Sequence, residues 1–510
     1  MLATASDASL LTSPDRFNLY EKTPQAQFWS YEESQWWLSH LQNTTHQGKK
    51  LVAIATPLRA DFLIHVENNY ASGKTKRPRG PRSSLTPALL PDLRTRAIIY
   101  YLNYYLRMPA DVPCLPGSVS DCIVEWISGT TIPILHLAVS SMALVVFSRT
   151  QRHPAAAAEA CAQYAKLLRH AQLTLSSLVE TNIDAALLAV FLMARYEDSA
   201  QGEEAFLPNP SFNSYLHHDG AAAILKIWRS RHAGQNQRAT STVKYSRRGI
   251  IRSALLRYLA VPAWLEDGRV FGEGGRDLEY DGILVQIANL RNQLKALQQN
   301  SSQLDTISPE LFQMAQKLCN EAERLDSALQ DWAIRIPSSW YPYRHLIRTG
   351  SSLPPRHFFS TEVYSYSSMT CAARWLNYSA TRTLLNRAWL KILELVQPCS
   401  DDSAHNHSVE QCRSRILVAA NDVSSSIPFV HGTFKATDAG KHQTVITLNT
   451  DAEIEPYVAS LTAWPLSIAS SIGSLNAGQK QWFGSQLALI GRILGSGVLE
   501  RVGAADLLDL

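Results

Sequence analysis

Apolar residues recur with the period of an α-helix along most of the chain beyond residue 93. The pattern is clearest from residue 183, where apolar side chains occupy positions 183, 186, 187, 190, 191 and 194. Spacings of three and four residues place these side chains on one face of a helix. Leu188 and Leu192 add apolar side chains to the other face, which predicts a central helix buried on all sides.

Two other segments carry a helical stripe. Positions 164, 167, 168, 171, 175 and 178 follow helical offsets, and a heptad-like series comprises Ile283, Ile287, Leu290, Leu294 and Leu297. A series this short is more typical of a core-facing helix than of a dimer zipper. The best strand candidate is "HQTVITLNT" (442–450). The sequence therefore predicts an all-α fold, a large helical array of packed antiparallel helices.

Breaks in the periodicity predict loops between the helices. A chain of 510 residues is long enough for two or three packed regions or for one large helical array. Clusters of glycine, proline and polar residues interrupt the helical pattern at intervals. The predicted loops are 206–211, 232–249, 271–277, 348–357 and 397–407.

The composition is that of a globular protein with a sizeable core, since 45% of the residues are hydrophobic and 18% are charged. A formal net charge of +4 is small for this length, so no global basic field indicates a nucleic-acid binder. The first residues lack a basic region followed by an apolar run, and the longest apolar run, 185–194, is too short to span a bilayer. We therefore expect a soluble intracellular protein without membrane contact.

Residues 1–93 are interpreted as a poorly ordered leader. Within it, "KTKRPRGPR" (74–82) contains no acidic residue, and its prolines and Gly80 exclude a helix interior. Two interpretations stay open: a solvated linker, or a nuclear-import or phosphate-contacting segment. The candidate contact residues are Lys74, Lys76, Arg77, Arg79 and Arg82.

The seven cysteines do not have the spacing of a zinc cluster. None form a C-x2-C pair, and seven residues separate the closest two, Cys114 and Cys122. An odd, scattered set predicts reduced and mostly buried thiols. We expect this chain to bind no metal ion or other cofactor.

The adjacent histidines in "SYLHHDGAAAILKIWRSR" (214–231) raise the question of a metal site. Neighbouring side chains on a helix point about 100° apart, so His217 and His218 cannot chelate one ion together. Zinc-binding helices use i, i+4 spacing, and the partner positions hold Asn213 and Ala222. The apolar stripe that continues to Trp228 predicts a packing helix whose role is structural.

Signatures of common enzyme classes are absent from the sequence. There is no G-x-S-x-G elbow, no H-x-E with P-C-x-x-C, and no G-x-G-x-x-G after a predicted strand. The segment "GSLNAGQK" (473–480) departs from a phosphate loop because Gln479 separates the glycine from the lysine. We therefore expect a protein that is not an enzyme, with an unrecognised helical active site as the alternative.

Several helical segments follow one another in a specific order. The series "YYLNYYLRM", "PILHLAVSSMALVVFSR", "QYAKLLRHAQLTL", "TNIDAALLAVFLMARYED" and "HHDGAAAILKIWRSR" is continued by "LQDWAIRIPSSWYPY", "AARWLNYSATRTLLNRAWL", "AANDVSSSIPF" and "LTAWPLSIASS". In this order the sequence resembles the fungal-specific transcription factor domain, the helical regulatory region of fungal zinc binuclear-cluster regulators. The resemblance covers 94–505, and the matching positions are Tyr196, Glu197, His218, Gly220, Ala221, Trp332, Trp340, Trp375, Arg382, Trp464 and Pro465.

The resemblance implies a transcriptional regulator in the nucleus, with the helical domain sensing a ligand or binding partners. Members of this family normally begin with a six-cysteine zinc cluster that reads DNA, whereas the first cysteine here is Cys114. We therefore expect either a gene model that lacks its first exon or a regulator without this head. Zinc would be bound only in such a head, and DNA would be contacted through it or indirectly.

The expected partners are a second chain in a homo- or heterodimer, the transcription machinery and an unidentified small-molecule effector. Alone, the basic segment 74–82 would give only salt-sensitive phosphate contacts without sequence preference. The alternative is a helical scaffold or adaptor protein that does not bind DNA and has no nuclear role.

Overall fold

The structure is a computed structural model that describes residues 91–105, 132–201, 214–232, 239–301, 308–347, 353–396, 403–438 and 444–504. Helices make up most of these residues, and the strands are short. The predicted all-α fold, an array of packed helices, is confirmed. The basic segment 74–82, almost all of the predicted leader and the predicted loop 206–211 lie outside the described residues.

The first part of the described chain consists of consecutive helices. They are α1 (Leu93–Tyr100), continued by a π-helix (Tyr101–Tyr105), α2 (Pro133–Thr150), α3 (Pro154–Thr181), α4 (Ile183–Ala200), α5 (Ser214–Arg231), α6 (Ser241–Arg257), the single turn α7 (Ala263–Glu266), a 3-10 helix (Gly268–Phe271) and α8 (Gly275–Ser301).

Two small sheets accompany the helices of the second part. The elements are α9 (Pro309–Ile334), a 3-10 turn (Ser338–Trp340), β1 (Tyr343–Leu346), β2 (Glu362–Ser365), α10 (Met369–Val396), α11 (Ser403–Val430), β3 (Phe434–Asp438), β4 (Thr444–Leu448), α12 (Pro456–Ser470), α13 (Ala477–Leu494) and α14 (Gly497–Ala504). β1 pairs antiparallel with β2, and β3 pairs antiparallel with β4.

Short connections with polar caps separate the first long helices. Asn182 alone connects α3 to α4, and its side chain accepts a hydrogen bond from the Ala185 N–H at 3.0 Å. This bond satisfies one of the N–H groups that have no partner inside the helix. Because only residues 151–153 connect α2 to α3, these helices reverse direction and pack as antiparallel neighbours.

α4 is buried on all sides, as its sequence predicts. Leu188 and Leu192 are each 1% exposed, and so is Leu187 on the opposite face. The helix packs against α2, α3, α5, α6 and α14. Since each fully buried leucine contributes about 1.5–3 kcal/mol, α4 anchors the first part of the array.

The other predicted stripes are also core-facing, with one departure. The heptad-like series of α8 is buried throughout, from Ile283 to Leu297, which confirms the core interpretation. In α3, Leu168 is 38% exposed and Val179 is buried in place of Leu178. A stripe of strict three- and four-residue steps drifts around a helix of 28 residues, so near its C-terminal end Val179 replaces Leu178 on the buried face.

Three of the predicted loops are wrong in part, because helices begin inside them. The predicted loop 232–249 contains the start of α6, the loop 397–407 contains the start of α11, and the loop 271–277 contains the first residues of α8. In α6 the Thr240 side chain accepts from the Val243 N–H at 3.2 Å, and Tyr245 is buried. The cap and the tertiary contacts stabilise a helix that the polar composition did not indicate.

The strands match the sequence only in part. β4 lies within the predicted strand 442–450, which is confirmed. β1 and β2 were not predicted, because four-residue strands are too short to show an alternating pattern. They cover a small cluster of buried side chains formed by Ile347, Phe358, Val363 and Phe434.

A single continuous cluster of buried apolar side chains extends from Ala97 of α1 to Leu499 of α14. It includes side chains from every helix longer than two turns that the structure describes in full. This arrangement fits one large helical array rather than several separate cores.

α2 is long and apolar enough to cross a membrane, with a mean hydropathy of 1.4 over its 18 residues. The prediction based on the run 185–194 missed this helix. In the described part of the chain, 61% of α2 is buried inside the protein, where it packs against α1, α3 and α4. This is the environment of a core helix, so its hydropathy alone does not indicate a membrane span.

A buried arginine joins α6, α7 and α8. Arg247 of α6 is 0% exposed, and its guanidinium donates to the carbonyl oxygens of Leu265 at 2.9 Å and Glu266 at 2.8 Å. The same group pairs with Asp281 of α8 at 3.3 Å. An added Cβ at Gly268 would lie 3.1 Å from Arg247 Nη1, so the chain passes close to the guanidinium here.

Two helical glycines provide a matched test of the packing. An added Cβ at Gly220 would meet only Val190 Cγ1 at 4.0 Å, whereas one at Gly491 would lie 2.5 Å from the backbone nitrogen of Glu500. Gly220→Ala is expected to raise the free energy of unfolding by up to about 1 kcal/mol, because alanine favours the helix. Gly491→Ala is expected to lower it by about 1–3 kcal/mol through overpacking. Urea unfolding measures both, and effects of the same sign would contradict the packing of α13 on α14.

Candidate functional site

A cleft lies between α4, α5 and α6. Its volume is about 40 Å³, which is enough for a few water-sized groups. The α4 wall is apolar, and α5 contributes two adjacent histidines. The lining residues are Leu187, Val190, Phe191 and Ala194 of α4, His217, His218 and Ala221 of α5, and Tyr245, Ser246, Gly249 and Ile250 of α6.

His217 belongs to a hydrogen-bonded chain that joins three helices. Tyr164 of α3 donates its hydroxyl hydrogen to Glu197 Oε1 of α4 at 2.7 Å, and the same hydroxyl oxygen lies 3.0 Å from His217 Nε2. Because the hydroxyl has one hydrogen and gives it to the carboxylate, His217 Nε2 must carry a hydrogen and donate it to Tyr164. In a neutral ring this leaves Nδ1 as the acceptor.

A pair of stacked tyrosines supports this chain. The rings of Tyr164 and Tyr196 lie 3.9 Å apart between centroids, with an angle of 16° between their planes. Burial raises the pKa of Tyr164, and Glu197 raises it further. Burial also raises the pKa of Tyr196. Both phenols therefore stay protonated at neutral pH, and Tyr164 remains a donor to Glu197.

The two histidines of the cleft are neutral at neutral pH. Burial lowers the pKa of His217 to about 4. Burial, with the charge of Arg257 and the neighbouring His217, lowers the pKa of His218 to about 3. Arg257 is held in place by Asp219, whose two carboxylate oxygens accept from the guanidinium at 2.7 and 3.1 Å.

Neutral imidazoles in an apolar cleft are suited to hydrogen bonding rather than to proton transfer. A general base is most effective when its pKa lies near the working pH, and pKa values of about 4 and about 3 lie well below neutrality. Each neutral ring offers one N–H donor and one nitrogen acceptor. The cleft can therefore recognise a small and mainly apolar molecule that carries a polar group.

Five of the matching positions, which carry the resemblance to the fungal-specific transcription factor domain, lie at or beside this cleft. His218 and Ala221 line it, and Gly220 lies between them on α5. Tyr196 and Glu197 of α4 connect to it through Tyr164 and His217. The packing of α5 at Gly220 does not depend on glycine, because an added Cβ there has room.

The family-like tryptophans lie elsewhere, in a packed cluster around α9 and α10. Trp375 Nε1 donates to the carbonyl oxygen of Trp340 at 2.8 Å, and Trp332 Nε1 donates to the carbonyl oxygen of Arg276 at 3.1 Å. Buried indole N–H groups usually find such partners. These contacts fix the 3-10 turn and the start of α8 to the core, which is a structural role.

Arg382 also has a structural role, in a buried ion-pair network. Its Nε donates to Asp326 Oδ1 at 3.1 Å, and Asp326 also accepts from Asn386 Nδ2 at 2.9 Å and pairs with Arg415 at 3.4 Å. Burial raises the pKa of Asp326, but hydrogen bonds and the two arginines outweigh this effect and lower it. The carboxylate therefore stays charged and holds α9, α10 and α11 together.

The last matched pair, Trp464 and Pro465, lies in the interior of α12. Both side chains are buried, and the helix continues through the proline to Ser470.

The basic candidates of the segment 74–82, Lys74 to Arg82, lie outside the described residues, so they stay predictions.

The sequence did not reveal the contacts of Tyr164, His217 and Arg257. His217 was considered only as a metal ligand, and Tyr164 was counted as part of an apolar stripe. A tyrosine inside a predicted buried stripe needs a hydrogen-bond partner, and this was the available signal. The partner itself, Glu197, is 33 residues away and could not be identified from spacing.

Among the described residues, no group of three or more His, Cys, Asp or Glu side chains is placed to hold a metal ion. Four of the seven cysteines are described as free thiols, of which Cys319, Cys371 and Cys412 are buried and Cys161 is exposed. The prediction of mostly buried thiols therefore fits three of these four.

Comparison with known proteins gives no match to a family model, to a curated protein or to a solved structure. The resemblance to the fungal-specific transcription factor domain therefore stays a prediction based on the order of the motifs. The class that the structure itself defines is an all-α helical array with a small cleft between α4, α5 and α6.

The neutral histidines predict a specific loss of stability in acid. An unfolded histidine titrates near pH 6.5, whereas the pKa of folded His217 is about 4. Between these values the unfolded state binds more protons, so the free energy of unfolding falls as the pH falls from about 6.5 to about 4. His217→Gln keeps an N–H donor for Tyr164 and removes the titration, so we expect a shallower pH dependence in this window.

The measurement is urea unfolding at several pH values, with His407→Gln as the control. His407 is exposed on α11 and does not line the cleft, so its replacement controls for the loss of a histidine as such. A slope in His217→Gln equal to that of the unsubstituted protein would show that His217 is not held neutral in the fold.

Proposed function

We propose that the protein is a nuclear transcriptional regulator of the fungal-specific transcription factor type, and that its helices form the regulatory module that senses a small effector. The observation that carries the proposal is that His218 and Ala221 line one cleft, to which Tyr196 and Glu197 connect through Tyr164 and His217. These positions come from two separate segments of the resemblance.

The electrostatics of the cleft favour binding over catalysis. His217 and His218 are neutral, and the Tyr164 hydroxyl is bonded to Glu197 and His217. Neither imidazole and not the Tyr164 hydroxyl has a pKa near neutrality, as a proton-transferring group would need. We therefore propose a binding module rather than an enzyme.

The proposed effector is a small, mainly apolar molecule with one polar group. The apolar walls favour hydrocarbon or aromatic surface, and a neutral imidazole supplies a hydrogen bond without requiring a charged ligand. Dimerisation and contacts with the transcription machinery belong to the same proposal. DNA would be reached indirectly or through a zinc-cluster head.

Filling the cleft tests the effector site. Ala221→Leu places a larger side chain in the cleft. Ala223→Leu is the control, because Ala223 is half-buried on the same helix and does not line the cleft. In a thermal-shift screen of small apolar metabolites, we expect at least one compound to raise the melting temperature of the unsubstituted protein and of Ala223→Leu. The same compound should have no effect on Ala221→Leu. An equal shift in both variants would place the binding elsewhere.

The nuclear part of the proposal is tested by the basic segment 74–82. Replacing Lys76, Arg77 and Arg79 by Ala removes three of its five cationic side chains, and we expect the protein to lose its nuclear accumulation. In the control variant the adjacent residues Lys49 and Lys50 are replaced by Ala, and we expect this variant to stay in the nucleus. Fluorescence microscopy of the tagged chain gives the readout. If the unsubstituted protein is excluded from the nucleus, the adaptor function is favoured instead.

A further inference from the structure

A buried tyrosine outside the cleft ends α6 in an unusual backbone conformation. Tyr258 has a φ of 54°, in the left-handed region, and its N–H donates to the carbonyl oxygen of Ala254. Asn292 Nδ2 donates to the carbonyl oxygen of Tyr258 at 3.0 Å. These bonds fix the position of a phenol ring that is 9% exposed.

A buried arginine of α8 lies against this ring. The guanidinium carbon of Arg291 is 4.0 Å from the centre of the Tyr258 ring, and Arg291 is 1% exposed. Its Nε donates to the carbonyl oxygen of Leu255 at 3.0 Å, whereas Nη2 has no hydrogen-bond partner among the described residues. An arginine keeps its charge even when burial lowers its pKa, as it does here.

Two more cationic side chains reach the same place from α10. Lys391 Nζ lies 3.5 Å from the Tyr258 hydroxyl oxygen, and the charge of Arg387 also acts on this phenol. The two residues are four positions apart, so they share one face of α10. Arg387 is 9% exposed and donates to Ser471 Oγ at 2.7 Å, while Lys391 is half-buried.

The local field is strongly positive. Burial raises the pKa of Tyr258, but Arg291, Lys391 and Arg387 outweigh burial and lower it. Within the described part of the chain, neither Arg291 nor Lys391 forms an ion pair with a carboxylate, and Tyr258 is the only ionisable group found to act on Arg291. Burying cations without an opposite charge is costly, so this place in the fold favours an anion.

We propose that Arg291, Lys391 and Tyr258 form a binding site for a small oxyanion of the phosphate type. The unpartnered Nη2 of Arg291 would donate to one oxygen of such a group, and the ammonium group of Lys391 adds a compact charge. The phenol hydroxyl supplies a third donor. Lys391 is the half-buried member of the cluster, so we expect the anion to enter beside it.

The first experiment measures the binding of inorganic phosphate and of glycerol 3-phosphate by isothermal titration calorimetry, with chloride at the same ionic strength as the reference. We expect phosphate to bind and chloride to have no effect. Tighter binding of glycerol 3-phosphate than of phosphate would identify a phosphorylated metabolite as the ligand, and the reverse order would identify the free ion. No heat of binding with either probe would overturn the proposal.

Variants locate the site. Lys391→Gln and Arg291→Met are each expected to weaken phosphate binding at least about tenfold, the usual effect of losing a charge-assisted hydrogen bond. Lys244→Gln is the matched control, because Lys244 Nζ donates to the carbonyl oxygen of Gly272 at 3.0 Å on the exposed side of α6. Lys391→Gln leaves the buried residues intact, so it tests the site even if Arg291→Met does not fold. Unchanged affinity in Lys391→Gln would exclude the site.

Tyrosinate absorbance gives a second readout that a merely structural cluster would not change. The difference between the titrations of the unsubstituted protein and of Tyr258→Phe isolates this phenol. A bound anion disfavours the phenolate, so added phosphate is expected to move the difference curve to higher pH. A curve that stays in place would contradict direct contact between the anion and Tyr258.

Discussion

Burial of α4 on all sides is the constraint on which the first part of the described structure depends. Its apolar side chains form contacts with α2, α3, α5, α6 and α14, so these helices are positioned relative to one another through it. The same helix supplies the apolar wall of the cleft and, near its C-terminal end, Glu197. Packing and the proposed binding of an effector therefore depend on the same helix, and a substitution that loosens α4 would affect both.

Apolar periodicity was sufficient to predict the fold class, the central position of α4 and the core-facing side of α8, because these depend on the local pattern of burial. It failed at 241–249 and 403–407, where polar segments form helices through a cap at Thr240 and through tertiary contacts. The cleft was only partly predictable. His218 and Ala221 were named from the sequence, but as structural positions of the resemblance rather than as cleft residues. Tyr164 and Arg257 act through partners on other helices, and sequence spacing does not reveal such contacts.

Three buried charged groups among the described residues are satisfied in different ways. Arg247 is satisfied by backbone carbonyl oxygens and Asp281, and Asp326 is satisfied by Arg382, Asn386 and Arg415. Arg291 differs, since its stacking partner is a neutral phenol. The first two arrangements join neighbouring helices and need no further ligand, and this contrast distinguishes the cluster around Tyr258.

The hydrogen-bonded chain Glu197–Tyr164–His217 has a fixed direction. The carboxylate can only accept, so the hydroxyl hydrogen points to Glu197 and the hydroxyl oxygen faces the imidazole. A ligand that draws the His217 ring towards the cleft would remove the His217 N–H donor from the Tyr164 hydroxyl oxygen. This hydrogen bond lies where α3, α4 and α5 meet. Occupancy of the cleft would thereby weaken the hydrogen bonding that joins α3, α4 and α5, and the relative positions of these helices could change.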